Sequence, residues 1–234
     1  RLCSRLAALG AAIRRTWRRV QSLEGLRAMT VTVTNGYCTA ADLATYMTVS
    51  AASYGDDLAS AINTASREID GYCARRFYAD GSATARVYWS KDERIAIIDD
   101  AWSISSVKLS SNDDGTYDKT YTSGVDFTPE PLNGVADGLN GLPTWRLRWT
   151  TSSLPTYTKL PALQVTAKWG WATVPEPVRQ ACLIIAGEIF KLREAPFGVA
   201  GFGEMGAVRI GKMSPQAVQL LRPYRAGDSI AGVA

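Results

Sequence analysis

Any chemistry in this chain must come from carboxylates, thiols, hydroxyls or backbone amides, because its 234 residues include no histidine. That absence removes Ser/His/Asp and Cys/His triads, His-ligated zinc and imidazole general bases together. Carboxylates stand side by side at Asp56-Asp57, Asp92-Glu93, Asp99-Asp100 and Asp113-Asp114. Adjacent residues on a strand point to opposite faces, so such neighbours do not converge on one substrate. Asp113-Asp114-Gly115 has the composition of a turn. A glycosidase needs two carboxylates facing each other across a cleft, which no spacing here specifies. The four cysteines, Cys3, Cys38, Cys73 and Cys182, form no C-x-x-C pair. A zinc knuckle or a thioredoxin-like site is therefore unsupported. With no imidazole to activate a thiolate, they read as small buried hydrophobes in a reducing cytosol. Gly201-Phe202-Gly203-Glu204-Met205-Gly206 fits G-x-G-x-x-G. The dinucleotide fingerprint, however, needs a strand before it and a helix directly after it. Here a helix and Pro196 precede it, and the segment reads as a connecting arm. No catalytic residue, metal-ligand set or cofactor site is assigned.

Composition agrees. Hydrophobic residues make up 46% and charged residues 21%, ordinary values for a folded chain. The formal net charge of +4 is carried by one end. Residues 1–28 hold seven arginines and one glutamate, whereas the other 206 residues hold 19 basic and 21 acidic side chains. Arg75-Arg76 and Arg146/Arg148 are thus isolated basic pairs on a mildly acidic body. They read as solvated faces rather than as a sequence-specific nucleic-acid surface. The basic end has an apolar run, Leu6 to Ile13, too short to span a bilayer, and its arginine cluster follows that run rather than preceding it. Three readings stand for 1–28: a basic amphipathic helix for phosphate-rich surfaces, a partner-docking arm, or an extension upstream of a natural start at Met29.

The elements that would position these residues follow from periodicity. In 29–82, Thr39 caps a short helix with Asp42 three residues on. A second helix, from about Gly55 to Arg76, buries a stripe of Leu58, Ile62, Ala65, Ile69 and Tyr72. The period then changes. Thr84–Trp89, Ile104–Leu109, Trp145–Trp149 and Leu163–Trp169 read as strands, the last two by strict alternation. Residues 83–171 are therefore expected as an antiparallel β insert, and the fold class as α+β. Residues 172–195 form a long helix opened by Pro175-Glu176-Pro177, whose run Ala181–Ala186 is apolar on nearly every side. Residues 196–234 read as an extended, Gly-rich arm ending in a short helix capped by Ser214-Pro215.

Six of the seven tryptophans lie between Trp89 and Trp171. They suit either a half-buried sheet or a sugar-stacking face, and the alternation favours the sheet. The arm carries Phe197, Phe202 and Tyr224 on a stretch too rich in glycine to build its own core. With Leu221, Arg222 and Pro223 these are candidate partner or oligomer contacts. The residues alone describe an assembly protein.

The same residues resemble a known family. Tyr37-Cys38-Thr39-x-x-Asp42, then Ala61–Asp70 and Cys73-Ala74-Arg75-Arg76-Phe77-Tyr78, look like the opening of the head–tail connector (adaptor, or head-completion) proteins of long-tailed phages. Lys168-Trp169-Gly170-Trp171-Ala172-Thr173-Val174-Pro175, Ala195-Pro196-Phe197-Gly198 and Leu220-Leu221-Arg222-Pro223-Tyr224-Arg225 continue the likeness in order. It spans about 37–225, and the β insert is similar to that of the larger relatives. The resemblance implies a homo-oligomeric ring, a dodecamer, below a portal protein. The ring would extend the channel through which genomic DNA passes without sequence-specific binding, and would dock a stopper or tail-completion protein on its far side. It implies no enzymatic activity, no cofactor, no metal and no membrane, a place in the virion at the head–tail junction, and assembly in the host bacterial cytoplasm. The competing reading is a Trp-rich β-domain that binds carbohydrate or a cell surface.

Overall fold

The computed structural model describes residues 30–90, 92–151, 154–192, 199–201, 207–209 and 213–226. The readings of 1–28 lie outside the described residues. Helix α1 (Ala40–Met47) starts where Thr39 and Asp42 form a reciprocal capping box. Helix α2 (Ala51–Cys73) begins four residues earlier than its apolar stripe announces, and Tyr54 breaks the helical dihedrals of its first turn. The stripe is buried as expected at Leu58, Ile62, Ala65 and Ile69, but Cys73 rather than Tyr72 ends it. Both lie near the stripe at its C-terminal end, and the smaller, apolar thiol takes the enclosed position.

Six strands follow: β1 (Thr84–Tyr88), β2 (Ile95–Leu109), β3 (Lys119–Tyr121), β4 (Phe127–Glu130), β5 (Thr144–Trp149) and β6 (Leu163–Trp169). All pair antiparallel in the order β1-β6-β2-β5-β4, with β3 added to the C-terminal half of β2. Strand β2 is the spine. Its start, Ile95–Ile97, pairs with Arg148–Arg146 of β5, and its end, Ser103–Leu109, pairs with Lys168–Leu163 of β6. The register shifts between Ile97 and Ala101, between Ala101 and Ser103, and between Ile104 and Ser106. Bulges bend a strand and increase its twist. The bend lets the inward faces of β6 and β5 share one core: Leu147, Leu163, Val165, Ala167 and Trp169 are fully buried, with Trp149 against Tyr121 and Phe127.

Helix α3 (Glu176–Leu192) then packs against α2 and α1. Gly187 permits the close approach, since a Cβ there would lie 3.0 Å from Met47 Sδ. A short antiparallel pair, β7 (Val199–Gly201) and β8 (Ala207–Arg209), precedes α4 (Pro215–Leu221) and a closing 3-10 turn, Arg222–Tyr224. The observed class is α+β: among the described residues there are four α-helices and a six-stranded antiparallel sheet.

The helices and the sheet meet at Gly170. The Asp80 amide donates to the Trp169 carbonyl (2.8 Å), and the Gly170 amide donates to the Asp100 carbonyl (2.7 Å). Gly170 has φ +100°, and a Cβ on it would sit 1.8 Å from the Tyr78 carbonyl oxygen. No other residue type fits that backbone.

Candidate functional site

The C-terminal segment was expected as an arm unable to bury itself. Its last part instead completes the helical core. Ala217 and Leu221 are fully enclosed, and the Tyr224 ring meets Phe77 at 6.0 Å and Trp171 at 5.9 Å. The Ala226 amide donates to the Cys73 carbonyl (2.9 Å), and the Arg225 guanidinium lies over Tyr72. The physical reason is spacing: Ala217, Leu221 and Tyr224 fall four and three apart, on one helical face, and that face finds α2 and α3. Of the six contact candidates, Leu221 and Tyr224 therefore sit inside the chain's own core, and Arg222 and Pro223 are exposed. Phe197 and Phe202 lie outside the described residues. A deletion of 196–234 would therefore remove core side chains of the helical frame.

The carboxylate pairs have structural work. Asp92 Oδ1 accepts from the Arg94 and Ile95 amides, Asp113 from the Lys159 and Leu160 amides, and Asp114 from the Thr116 amide. Asp99 and Asp100 part across the strand: Asp99 takes Arg86 and Tyr88, and Asp100 takes Arg75 and the Trp171 indole. Among the described residues, no group of three or more cysteines or acids is placed to hold a metal ion. The glycine motif begins at the end of β7, and strand β8 rather than a helix resumes at Ala207. That is not the geometry of a dinucleotide fingerprint. Among the described residues no helix is long and apolar enough to cross a membrane.

A cleft of about 300 Å³ opens beside the Gly170 junction, lined by Arg75, Arg76, Arg86, Asp99, Asp100 and Trp145 among others. Its charges are spent on one another. Arg76 meets Asp80 at 2.7 Å, Arg86 meets Asp99 at 2.6 Å, and Arg75 approaches Asp100 at 3.5 Å. Burial pushes the Asp100 carboxyl up, and Arg75 and the Trp171 indole oppose that shift. These pairs brace the cleft between the residues that follow α2 and strands β1 and β2, and the buried Arg75 Nε faces Asp100 at 3.5 Å without a hydrogen bond.

The tryptophans divide. Trp149, Trp169 and Trp171 are enclosed and cannot stack on a sugar, while Trp145 is half-buried beside the Arg146 guanidinium. Exposed large side chains gather on the outer face and edges of the sheet: Val87 (49%), Trp89 (51%), Ile97 (48%) and Trp102 (42%). Sequence reading did not find Trp102, because the bulges of β2 hide its alternation.

No protein-family model matches the chain, and no curated protein sequence matches it. Solved structures do. A chain in the neck of an empty gene transfer agent particle, computed with C6 symmetry, aligns with a TM-score of 0.50 and 17% identity, over 83% of this chain and 92% of that one. A chain in the neck of the native particle, computed with C12 symmetry, aligns with a TM-score of 0.46 and 16% identity, over 79% and 86%. The first alignment shows a shared fold.

Proposed function

We propose that this chain is a structural head-to-tail adaptor of a phage-like particle. Copies form a ring, of twelve by the family resemblance, below a portal ring. The ring extends the DNA channel and docks a stopper or tail-completion protein on its far side. The observation that carries this reading is the shared fold with a particle-neck chain over 92% of that chain's length. The ordered series of motifs from Tyr37 to Arg225 supports it independently. Exposed Trp89 and Trp102 are side chains of the type that anchors interfaces, and copies in a ring would cover them. Phe197, Phe202, Arg222 and Pro223 are the contact residues we assign to the C-terminal segment, with Leu221 and Tyr224 holding that segment in place. A body with 19 basic and 21 acidic side chains beyond residue 28 does not grip a passing polyanion. The adaptor role needs no catalysis and no cofactor, and it places the protein in the virion after assembly in the bacterial cytoplasm.

Quantitative peptide mass spectrometry on purified particles tests this. A fixed, low copy number equal to that of the portal is the expected result, and absence from the particle overturns the reading. A second test deletes residues 198–210 only, which keeps α4 and Tyr224. The variant should keep the parent's circular dichroism and lose its place in the portal complex. Normal assembly would remove Phe202 and the β7–β8 stretch from the docking surface.

A further inference from the structure

Two of the cysteines, far apart in sequence, touch. Cys38 stands immediately before the cap of α1, and Cys182 lies on α3, 144 positions later. Their Sγ atoms are 3.5 Å apart in the buried helical core. A disulfide needs about 2.05 Å, so the two sulfurs have only ~1.5 Å to close, within reach of small side-chain rotations. Cys182 Sγ also has the Ser66 hydroxyl at 3.6 Å, while Ser66 Oγ accepts from the Tyr37 amide. The pair is thus held by α2, α3 and the turn before α1. We infer that Cys38 and Cys182 are a redox modification site, a latent intramolecular disulfide that closes when the chain meets a low-molecular-weight disulfide. The inference is independent of the adaptor reading.

The two thiols are not equivalent. The Cys38 thiol donates to Cys182, which holds Cys182 below the usual thiol range despite its burial, and the Ser66 hydroxyl adds to the effect. The same hydrogen bond, together with burial, pushes Cys38 up. When local opening exposes the pair, one of the two thiolates bonds to one sulfur of the small disulfide, whose own S–S bond breaks and releases one small thiolate. The other cysteine then attacks the sulfur of the first, and the second small thiolate leaves. Two cysteine thiols are oxidised to one disulfide, one small disulfide is reduced to two thiols, and the two cysteine protons pass to those thiols. Cys73 is the internal comparison. It is equally buried, and burial pushes its thiol up to about 12. No second sulfur lies beside it among the described residues, and it should stay reduced.

The bond would tie the start of α1 to α3 around a loop containing α2 and the whole sheet. Closing so long a loop restricts the unfolded chain strongly, and a rise in melting temperature of roughly 10 °C is expected. The test uses the full chain carrying Cys3→Ser and Cys73→Ser, so that only the pair remains. It is treated with glutathione disulfide in native buffer and again in denaturant just below the unfolding transition, where a buried site opens often. Thiol counts, peptide mapping without reductant and thermal melts read the result. The expected outcome is loss of both thiols in a monomeric chain, one linked Cys38–Cys182 peptide, and a higher melting temperature that dithiothreitol reverses. Thiols that stay free in the denaturant arm, linkage only between chains, or a melting temperature that falls on linkage would each overturn the inference. So would an equal rise in the same background carrying Cys182→Ala.

Discussion

The helical frame draws its core from three separate stretches of chain, 37–77, 171–190 and 217–224, whereas the sheet draws its core from one, 96–169. The sheet is thus a contiguous insertion, and the frame is what it interrupts. The insertion is tolerated because its two ends leave side by side. Strands β1 and β6 pair from Thr84↔Ala167 to Tyr88↔Leu163, and Asp80 is hydrogen-bonded to Trp169 just outside them. A frame whose helices α2 and α3 are separated by 102 residues closes more readily once the intervening chain has brought its own ends together, since long loops carry closure entropy. The sheet does that work locally, and the Gly170 junction passes it to the helices.

That relation can be broken most sharply at the junction. Gly170→Ala places a methyl group 1.8 Å from a carbonyl oxygen at a φ that L-residues avoid. It should cost about 4 kcal/mol or more and lower the melting temperature of helix and sheet signals together. Next come two truncations of matched kind, Ile62→Ala in the frame and Leu147→Ala in the sheet. Both side chains are fully enclosed, and each should cost about 3 kcal/mol. Ellipticity at 222 nm and tryptophan fluorescence should fall in one transition for either variant if the junction couples the regions. A separate early fluorescence transition in Leu147→Ala alone would show that the sheet melts by itself. Thr39→Ala removes the side-chain half of the α1 capping box, the hydroxyl that accepts from the Asp42 amide, while the amide of residue 39 can still donate to Asp42; it should cost about 1 kcal/mol, read by chemical denaturation, with no change confined to the sheet.

The smallest effect concerns pH. Burial pushes Glu130 up, but Arg148 and Arg146 on β5 more than reverse it and hold the carboxyl below the usual glutamate range. A depressed carboxylate contributes stability above its unfolded value and loses it as pH falls through its folded value. Glu130→Gln should therefore lower stability near neutrality, where the ionised pair contributes, and flatten the acid limb below about pH 4.5, where the parent loses that contribution. A variant curve parallel to the parent's throughout would show that the pair does not matter to the sheet edge.

Much of this architecture was legible where one period ran without interruption. The alternation of β6 and of Leu147 and Trp149, the stripe of α2 and the Thr39 cap all appear in the sequence and in the fold. The first half of β2 did not, because its bulges put two residues on one strand against one on the next and scramble the period. Strands β3 and β4 have three and four residues, too few for a pattern. The packing of the last helix and turn, 215–224, was not legible for another reason. The glycines ahead of it drew attention from the Ala217, Leu221 and Tyr224 spacing, and no local signal says which surface such a face will meet. The Cys38–Cys182 contact was invisible for the same reason, being set by the packing of α3 against the chain before α1 rather than by any spacing.

The burial of Tyr224 between Phe77 and Trp171 also decides what a proteolytic nick would do. Helix α3 ends at Leu192, and α4, which packs on it, begins at Pro215, so the chain between them is fastened at both ends. A single cut there would not shed the C-terminus. The two fragments would travel through gel filtration as one particle of unchanged size, and would part only when denaturant melted the aromatic cluster that clips them together.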